Sequence, residues 1–87
     1  MKKEFLKPGD IIKIKDNLGD SEYICIIANI GGAYRLISLH DGYDFMIEEE
    51  YEYNLQGYTR EDLKKFLATR DWEVIKYYRG LEEFLNS

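Results

Sequence analysis

Residues 22–39 read EYICIIANIGGAYRLISL, two apolar runs on either side of a pair of glycines. The first run is apolar at almost every position, which is typical of a strand that is covered on both faces. Gly31 and Gly32 favour a tight hairpin turn, because glycine adopts positive φ angles without a steric penalty. The second run then reads as the return strand. This stretch therefore predicts an antiparallel hairpin with strands over residues 22–29 and 33–39.

Three further strands are predicted around this hairpin. Residues 10–15 follow a Lys-Pro-Gly turn and alternate isoleucine with lysine, which is the period of a strand with one buried face. Residues 43–47 follow an Asp-Gly turn, a strong hairpin signal. Residues 72–78 are rich in aromatic and β-branched side chains, which favour strands. The short turns between these segments indicate a mostly antiparallel sheet.

One helix is predicted over residues 60–69, before the last strand. Thr59 and Asp62 have the spacing of a capping box, in which each residue bonds the backbone of the other. Leu63, Phe66 and Leu67 follow at helical spacing and give an apolar stripe. Residues 81–86 are predicted to form a short helical tail. The predicted core consists of Ile12, Ile14, Ile24, Ile26, Leu36, Phe45, Leu63, Phe66, Leu67, Val74 and Ile75.

The opening turn and strand carry a family resemblance. The stretch GDIIKI at residues 9–14 resembles the first strand of SH3-like β-barrels, which is shared by many small bacterial and phage-encoded domains. The similarity spans at most residues 7–47. We therefore predict one α+β domain over residues 1–87, a small, mostly antiparallel SH3-like β-barrel or rolled sheet with one α-helix before the last strand. A helix packed on an open sheet is the competing architecture. The resemblance implies a binding module, because such barrels seldom carry catalysis.

The charge of the chain is unevenly distributed. It has 17 acidic and 12 basic residues and a net charge of −5. Between Leu36 and Thr59 there are six acidic residues and no lysine or arginine, whereas the remaining charges nearly cancel. A surface of one sign attracts a partner of the other, and tyrosine provides a large contact area at low entropic cost. The predicted contact residues are Tyr43, Asp44, Glu48, Glu49, Glu50, Tyr51, Glu52 and Tyr53.

These residues favour a non-catalytic binding or inhibitor module whose protein partner has a basic surface. If the chain is phage-encoded, it would act in the host cytoplasm, and its acidic segment would mimic the charge of a nucleic acid. Direct nucleic-acid binding is not expected, because contacts with phosphates need lysines and arginines. A solvated segment that protects a sheet edge from pairing with other chains is the alternative interpretation.

A second hypothesis concerns a small ligand. Aromatic rings stack on bases, and the arginine fork matches phosphate. The chain would sequester a nucleotide-like molecule without transforming it, and a homo-oligomer would help to enclose that ligand. Packing of the same aromatic side chains in the core is the competing explanation. The predicted pocket residues are Tyr23, Tyr34, Arg35, Trp72, Tyr77, Tyr78 and Arg79.

Catalysis, metal binding and membrane insertion are not expected. His40 and Cys25 are the only histidine and cysteine, which is too few for a usual zinc site. A Cys–His pair would need an accessible thiol of low pKa, whereas Cys25 lies in the most apolar strand. No apolar run is long enough to cross a bilayer, and a single cysteine suits a reducing compartment. We therefore expect a cytoplasmic protein without a metal or cofactor.

Overall fold

The computed structural model describes residues 6–46 and 58–87. Within these ranges the chain forms four strands and two short helices, so the described protein is of mixed α+β class, as predicted. The elements in chain order are β1 (Ile11–Asp16), β2 (Glu22–Ile30), β3 (Ala33–Ser38), α1 (Arg60–Leu67), β4 (Trp72–Tyr78) and α2 (Leu81–Leu85). No helix in the described ranges has the length and apolar character to cross a membrane.

The four strands form one antiparallel sheet in the order β3-β2-β1-β4. Strands β3 and β4 are its edges, so the sheet of the described residues is open and does not close into a barrel. Helix α1 precedes the last strand, in agreement with the sequence. The predicted strand over residues 43–47 is wrong over its described part, because residues 43–46 contribute only a single bridge between Asp44 and Ile37. Ile47 lies outside the described residues.

The local chemistry of this turn explains the missing strand. Asp41 Oδ1 accepts a hydrogen bond from Tyr43 N at 3.0 Å, and Asp44 Oδ1 accepts one from Met46 N at 2.9 Å. Such bonds from aspartate side chains offer backbone N–H groups an alternative to pairing in a sheet. Residues 41–46 therefore form a turn that pairs with β3 at only a single bridge.

The hairpin turn and the helix cap are confirmed. Gly31 and Gly32 have φ angles of 61° and 90°, the conformation that the glycine pair predicts. At the start of α1, Thr59 Oγ1 accepts from Asp62 N at 3.2 Å, and Thr59 N donates to Asp62 Oδ2 at 2.8 Å. The helix ends at Leu67, two residues earlier than predicted.

The core lies between α1 and one face of the sheet, which we call the front face and which carries Ile12 and Cys25. The opposite face, which carries Lys13 and Ile24, is called the back face. Four predicted core residues are fully buried in this layer, namely Ile12, Ile14, Leu36 and Leu63. The sequence did not identify Leu6, Ile11, Ile27, Ala33 and Met46 as buried. Four further predictions, Ile26, Phe45, Phe66 and Leu67, are only half-buried.

Three predicted core residues are exposed instead. Ile24 is 37% exposed, Val74 36% and Ile75 45%. Ile24 lies on the back face, and α1 covers only the front face. In β4 the pairing with β1 shifts register after Lys13, which leaves Ile75 as an extra residue in a β-bulge. Val74 lies opposite Ile14 at the open edge of the sheet, and Ile75 has no partner residue in β1.

Candidate functional site

Tyr43 is the described tyrosine that best fits a partner-binding role. Its side chain is 58% exposed, yet its ring meets Phe45 edge to face at a centroid distance of 5.0 Å. Phe45 in turn contacts Tyr23 and Trp72, each at 5.3 Å. The ring centroids of Phe66 and Trp72 are 5.6 Å apart. We call the rings of Tyr23, Tyr43, Phe45, Phe66 and Trp72 the aromatic cluster. The cluster anchors the turn at residues 41–46 to the core and so restrains the exposed ring.

Asp41 adds a charge to the same turn. Its side chain is exposed, and it accepts the hydrogen bond from Tyr43 N described above. That bond lowers the pKa of the Asp41 carboxyl, and the hydroxyl of Ser38 and the charge of His40 lower it further. Asp41 is therefore ionised throughout the neutral range and marks the beginning of the acidic segment.

Asp44 has an intramolecular partner that sequence reasoning missed. Arg35 Nη1 lies 3.6 Å from Asp44 Oδ2, and their side chains are only 27% and 12% exposed. Arg35 is on β3, and the bridge between Asp44 and Ile37 brings the two charges together. Of the predicted contact residues, Tyr43 is therefore presented to solvent, whereas Asp44 is neutralised within the molecule. The others, Glu48, Glu49, Glu50, Tyr51, Glu52 and Tyr53, lie outside the described residues.

The predicted ligand-pocket residues are divided among several places. Tyr23 and Trp72 are neighbours in the aromatic cluster, 6.1 Å apart. Arg35 is paired with Asp44, as described above. The ring of Tyr34 lies 6.0 Å from the guanidinium carbon of Arg60 at the start of α1. Tyr23 and Trp72 thus pack in the aromatic cluster, whereas Tyr34 and Arg35 on β3 each contact a charged residue outside it.

Tyr77, Tyr78 and Arg79 do share one cavity. It has a volume of about 670 Å³ and lies between the end of β4 and α2. Lys76 Nζ lies 5.2 Å from the Tyr78 ring centroid. The backbone N–H of Arg79 donates to the carboxylate of Glu83. The lining is Lys76, Tyr77, Tyr78, Arg79, Glu82, Glu83, Asn86 and Ser87, a shallow surface with charges of both signs.

The hydroxyl of Tyr77 has a structural role. It donates to Asp10 Oδ2 and accepts from Leu6 N at 2.6 Å. Asp10 is only 6% exposed, so this bond satisfies a nearly buried carboxylate. Burial raises the pKa of Tyr77 to about 12, and the hydrogen bond to Asp10 adds to the shift. The hydroxyl therefore ties the last residues of β4 to the chain ahead of β1.

Cys25 and His40, the candidates for nucleophilic and metal chemistry, lie in very different environments. Cys25 is fully buried, and this burial, with a contribution from the charge of Asp41, raises the pKa of its thiol to about 12. A nucleophilic cysteine needs the opposite shift. His40 is exposed in the turn after β3. Within residues 6–46 and 58–87, no three His, Cys, Asp or Glu side chains are grouped to hold a metal ion.

No protein-family model, curated protein or solved structure matches this chain.

Proposed function

We propose that this protein is a non-catalytic binding module whose acidic, tyrosine-rich segment engages a protein partner with a basic surface. The observation that supports it concerns Tyr43, which is more than half exposed although its ring packs edge to face against Phe45. A side chain that is already restrained loses little entropy when it binds. Tyr43 thus provides a ready-made contact at the point where the acidic segment begins.

The charges that follow Tyr43 supply the attraction. Glu48, Glu49, Glu50 and Glu52 occur in a segment without a single lysine or arginine. Asp44 is not part of the proposed surface, because Arg35 already neutralises it. Exposed charges of one sign accelerate the encounter with an oppositely charged protein and make it sensitive to salt. A partner that normally binds the phosphates of a nucleic acid would bind a similar pattern of negative charge in this segment.

A binding module of this kind does not depend on a closed barrel, which the open sheet of the described residues does not form. Such a module needs no catalytic group, and its size suits an accessory or inhibitor protein. A phage-encoded inhibitor acting in a host cytoplasm is the specific form that we propose.

A charge-reversal experiment tests this function. We expect the double variant Glu49→Lys, Glu52→Lys to capture at least about tenfold less of the partner than the wild type does from a cell lysate at about 0.05 M salt. Raising the salt to about 0.3 M should weaken wild-type capture as well, because exposed charges are then screened. Captured proteins would be identified and quantified by mass spectrometry.

The matched control reverses two exposed acidic residues elsewhere, Asp71→Lys and Glu82→Lys. It changes the net charge equally, so it separates a local surface from a general effect of charge. The control should capture the partner as the wild type does. Undiminished capture by Glu49→Lys, Glu52→Lys, or an equal loss in the control, would contradict the proposed surface.

A nucleotide-like ligand in the cavity between β4 and α2 is a second candidate, favoured by the convergence of Tyr77, Tyr78 and Arg79 there. The volume of about 670 Å³ falls within the usual range for small-molecule sites. The Tyr78 ring would stack on a base, and Arg79 would bind a phosphate.

A thermal-shift screen with cyclic and linear nucleotides tests this candidate. A ligand at about 100 times its dissociation constant stabilises a protein by about 2.7 kcal/mol, which raises the melting temperature measurably. Arg79→Ala should abolish the shift. A flat profile across the screen would count against the ligand site and leave the protein-binding proposal unaffected.

A further inference from the structure

Strand β4 forms one edge of the sheet and, among the described residues, pairs only with β1. An edge strand has backbone N–H and C=O groups that a further strand can pair with. Two adjacent apolar side chains at its centre, Val74 and Ile75, are 36% and 45% exposed. They are flanked by Glu73 and Lys76, which are also exposed. Along the centre of this edge, an acidic side chain is therefore followed by two apolar side chains and then a basic one.

The β-bulge places the acidic and the basic side chain on the same face. Glu73 lies opposite Lys15, and Lys76 lies opposite Lys13. Because β1 residues two apart point the same way, Glu73 and Lys76 both belong to the back face. In a regular strand, residues three apart would point to opposite faces. The extra residue in β4 is what brings these two charges to one surface.

This arrangement is self-complementary. If two β4 strands pair antiparallel about a two-fold axis between Val74 and Ile75, Glu73 of each copy lies opposite Lys76 of the other. Opposite charges at such cross-strand positions are stabilising. In its own sheet Lys76 lies opposite Lys13, whose Nζ is 3.5 Å from Glu22 Oε1, so Lys76 has no acidic residue opposite it on β1.

An apolar groove lies beside the same edge. It has a volume of about 310 Å³ and is lined by Leu6, Lys64, Leu67, Ala68 and Val74. In the two-fold pairing, Ile75 of the second copy comes opposite Val74 at the border of this groove. Each copy would thus cover the exposed apolar side chains of the other.

We infer that β4 is the docking site for a second copy of this chain, and that two sheets join edge to edge in a two-fold homodimer. The inference uses none of the acidic contact residues, so it does not depend on the proposed function.

Sedimentation analysis over protein concentrations from about 10 μM to about 1 mM tests this dimer. The wild type should dimerise as concentration rises, and Glu73→Lys should weaken the dimer about tenfold. That substitution reduces the net charge from −5 to −3 and so lessens general repulsion between copies, which means that a loss of association would not come from net charge. The swapped pair Glu73→Lys, Lys76→Glu should restore the dimer, because it re-forms both cross-strand pairs.

Two further variants and a hydrogen-exchange measurement complete the test. Ile75→Lys should abolish the dimer, whereas its control Ile30→Lys, at a position that is 60% exposed in β2, should leave it intact. Circular dichroism would verify that each variant is folded. Amide hydrogens of β4 should exchange more slowly at high concentration. Any of three results would overturn the inference: a monomer at about 1 mM, a dimer unaffected by Glu73→Lys and Ile75→Lys, or a swapped variant that associates as weakly as Glu73→Lys.

Discussion

Leu63→Ala is expected to lower the free energy of unfolding by about 2–5 kcal/mol, the usual range for a buried leucine truncated to alanine. Leu63 is the fully buried residue of α1 and belongs to the core cluster that includes Ile12 and Leu36. Its loss leaves a cavity between the helix and the front face of the sheet. A protein with 87 residues has a total stability of only roughly 5–13 kcal/mol, so this single change removes a large part of it.

Chemical denaturation of the variant beside Leu85→Ala provides the measurement. Leu85 is also a helical leucine, but it is 69% exposed, so its replacement should cost less than about 0.5 kcal/mol. Equal losses in the two variants would show that α1 does not pack on the sheet as described.

Tyr77→Phe is expected to cost about 1.5–3 kcal/mol, the range for a hydrogen bond to a charged group. The substitution keeps the ring and removes only the hydroxyl. The nearly buried Asp10 carboxylate then loses a donor, and Leu6 N loses the acceptor that it has at 2.6 Å. Thermal or denaturant unfolding at neutral pH measures the loss, with Tyr78→Phe as a control that alters a neighbouring tyrosine outside this network.

The Tyr77 bond also predicts a dependence on pH. The pKa of Tyr77 is raised from 10.0 to about 12 in the folded protein, so the folded state holds its proton more tightly than the unfolded state. Stability from this group is therefore complete below pH 10 and is lost as the pH rises from about 10 to about 12. Wild type should lose stability more steeply in this window than Tyr77→Phe. Parallel curves for the two proteins would contradict the role assigned to the hydroxyl.

Local signals in the sequence were sufficient to predict the features that depend only on neighbouring residues. The glycine pair at residues 31–32 determines a hairpin turn, and Thr59 with Asp62 determines where α1 begins. These features need only contacts within a few residues. The strand over residues 43–47 was mispredicted because Asp41 and Asp44 bond to the backbone of their own turn, a competition that an alternating pattern does not show.

Long-range pairing explains what the sequence did not reveal. The β-bulge in β4 depends on the register with β1, far away in the chain, and so the exposure of Ile75 was not foreseen. The Arg35–Asp44 ion pair depends on one bridge between β3 and the following turn. Tyr77 was predicted as a ligand-binding residue, and nothing in the local pattern signals its bond to Asp10. The acidic contact residues from Glu48 to Tyr53 remain a prediction.

Chemical-shift mapping on the isotope-labelled protein, titrated with its captured basic partner, tests the proposed binding mode most directly. The amide signals of Tyr43 and of residues 48–53 should shift or broaden at low salt and return towards their free positions at about 0.3 M salt. Perturbations confined to Lys76, Tyr78 and Arg79, or a pattern that salt does not change, would contradict binding through the acidic segment.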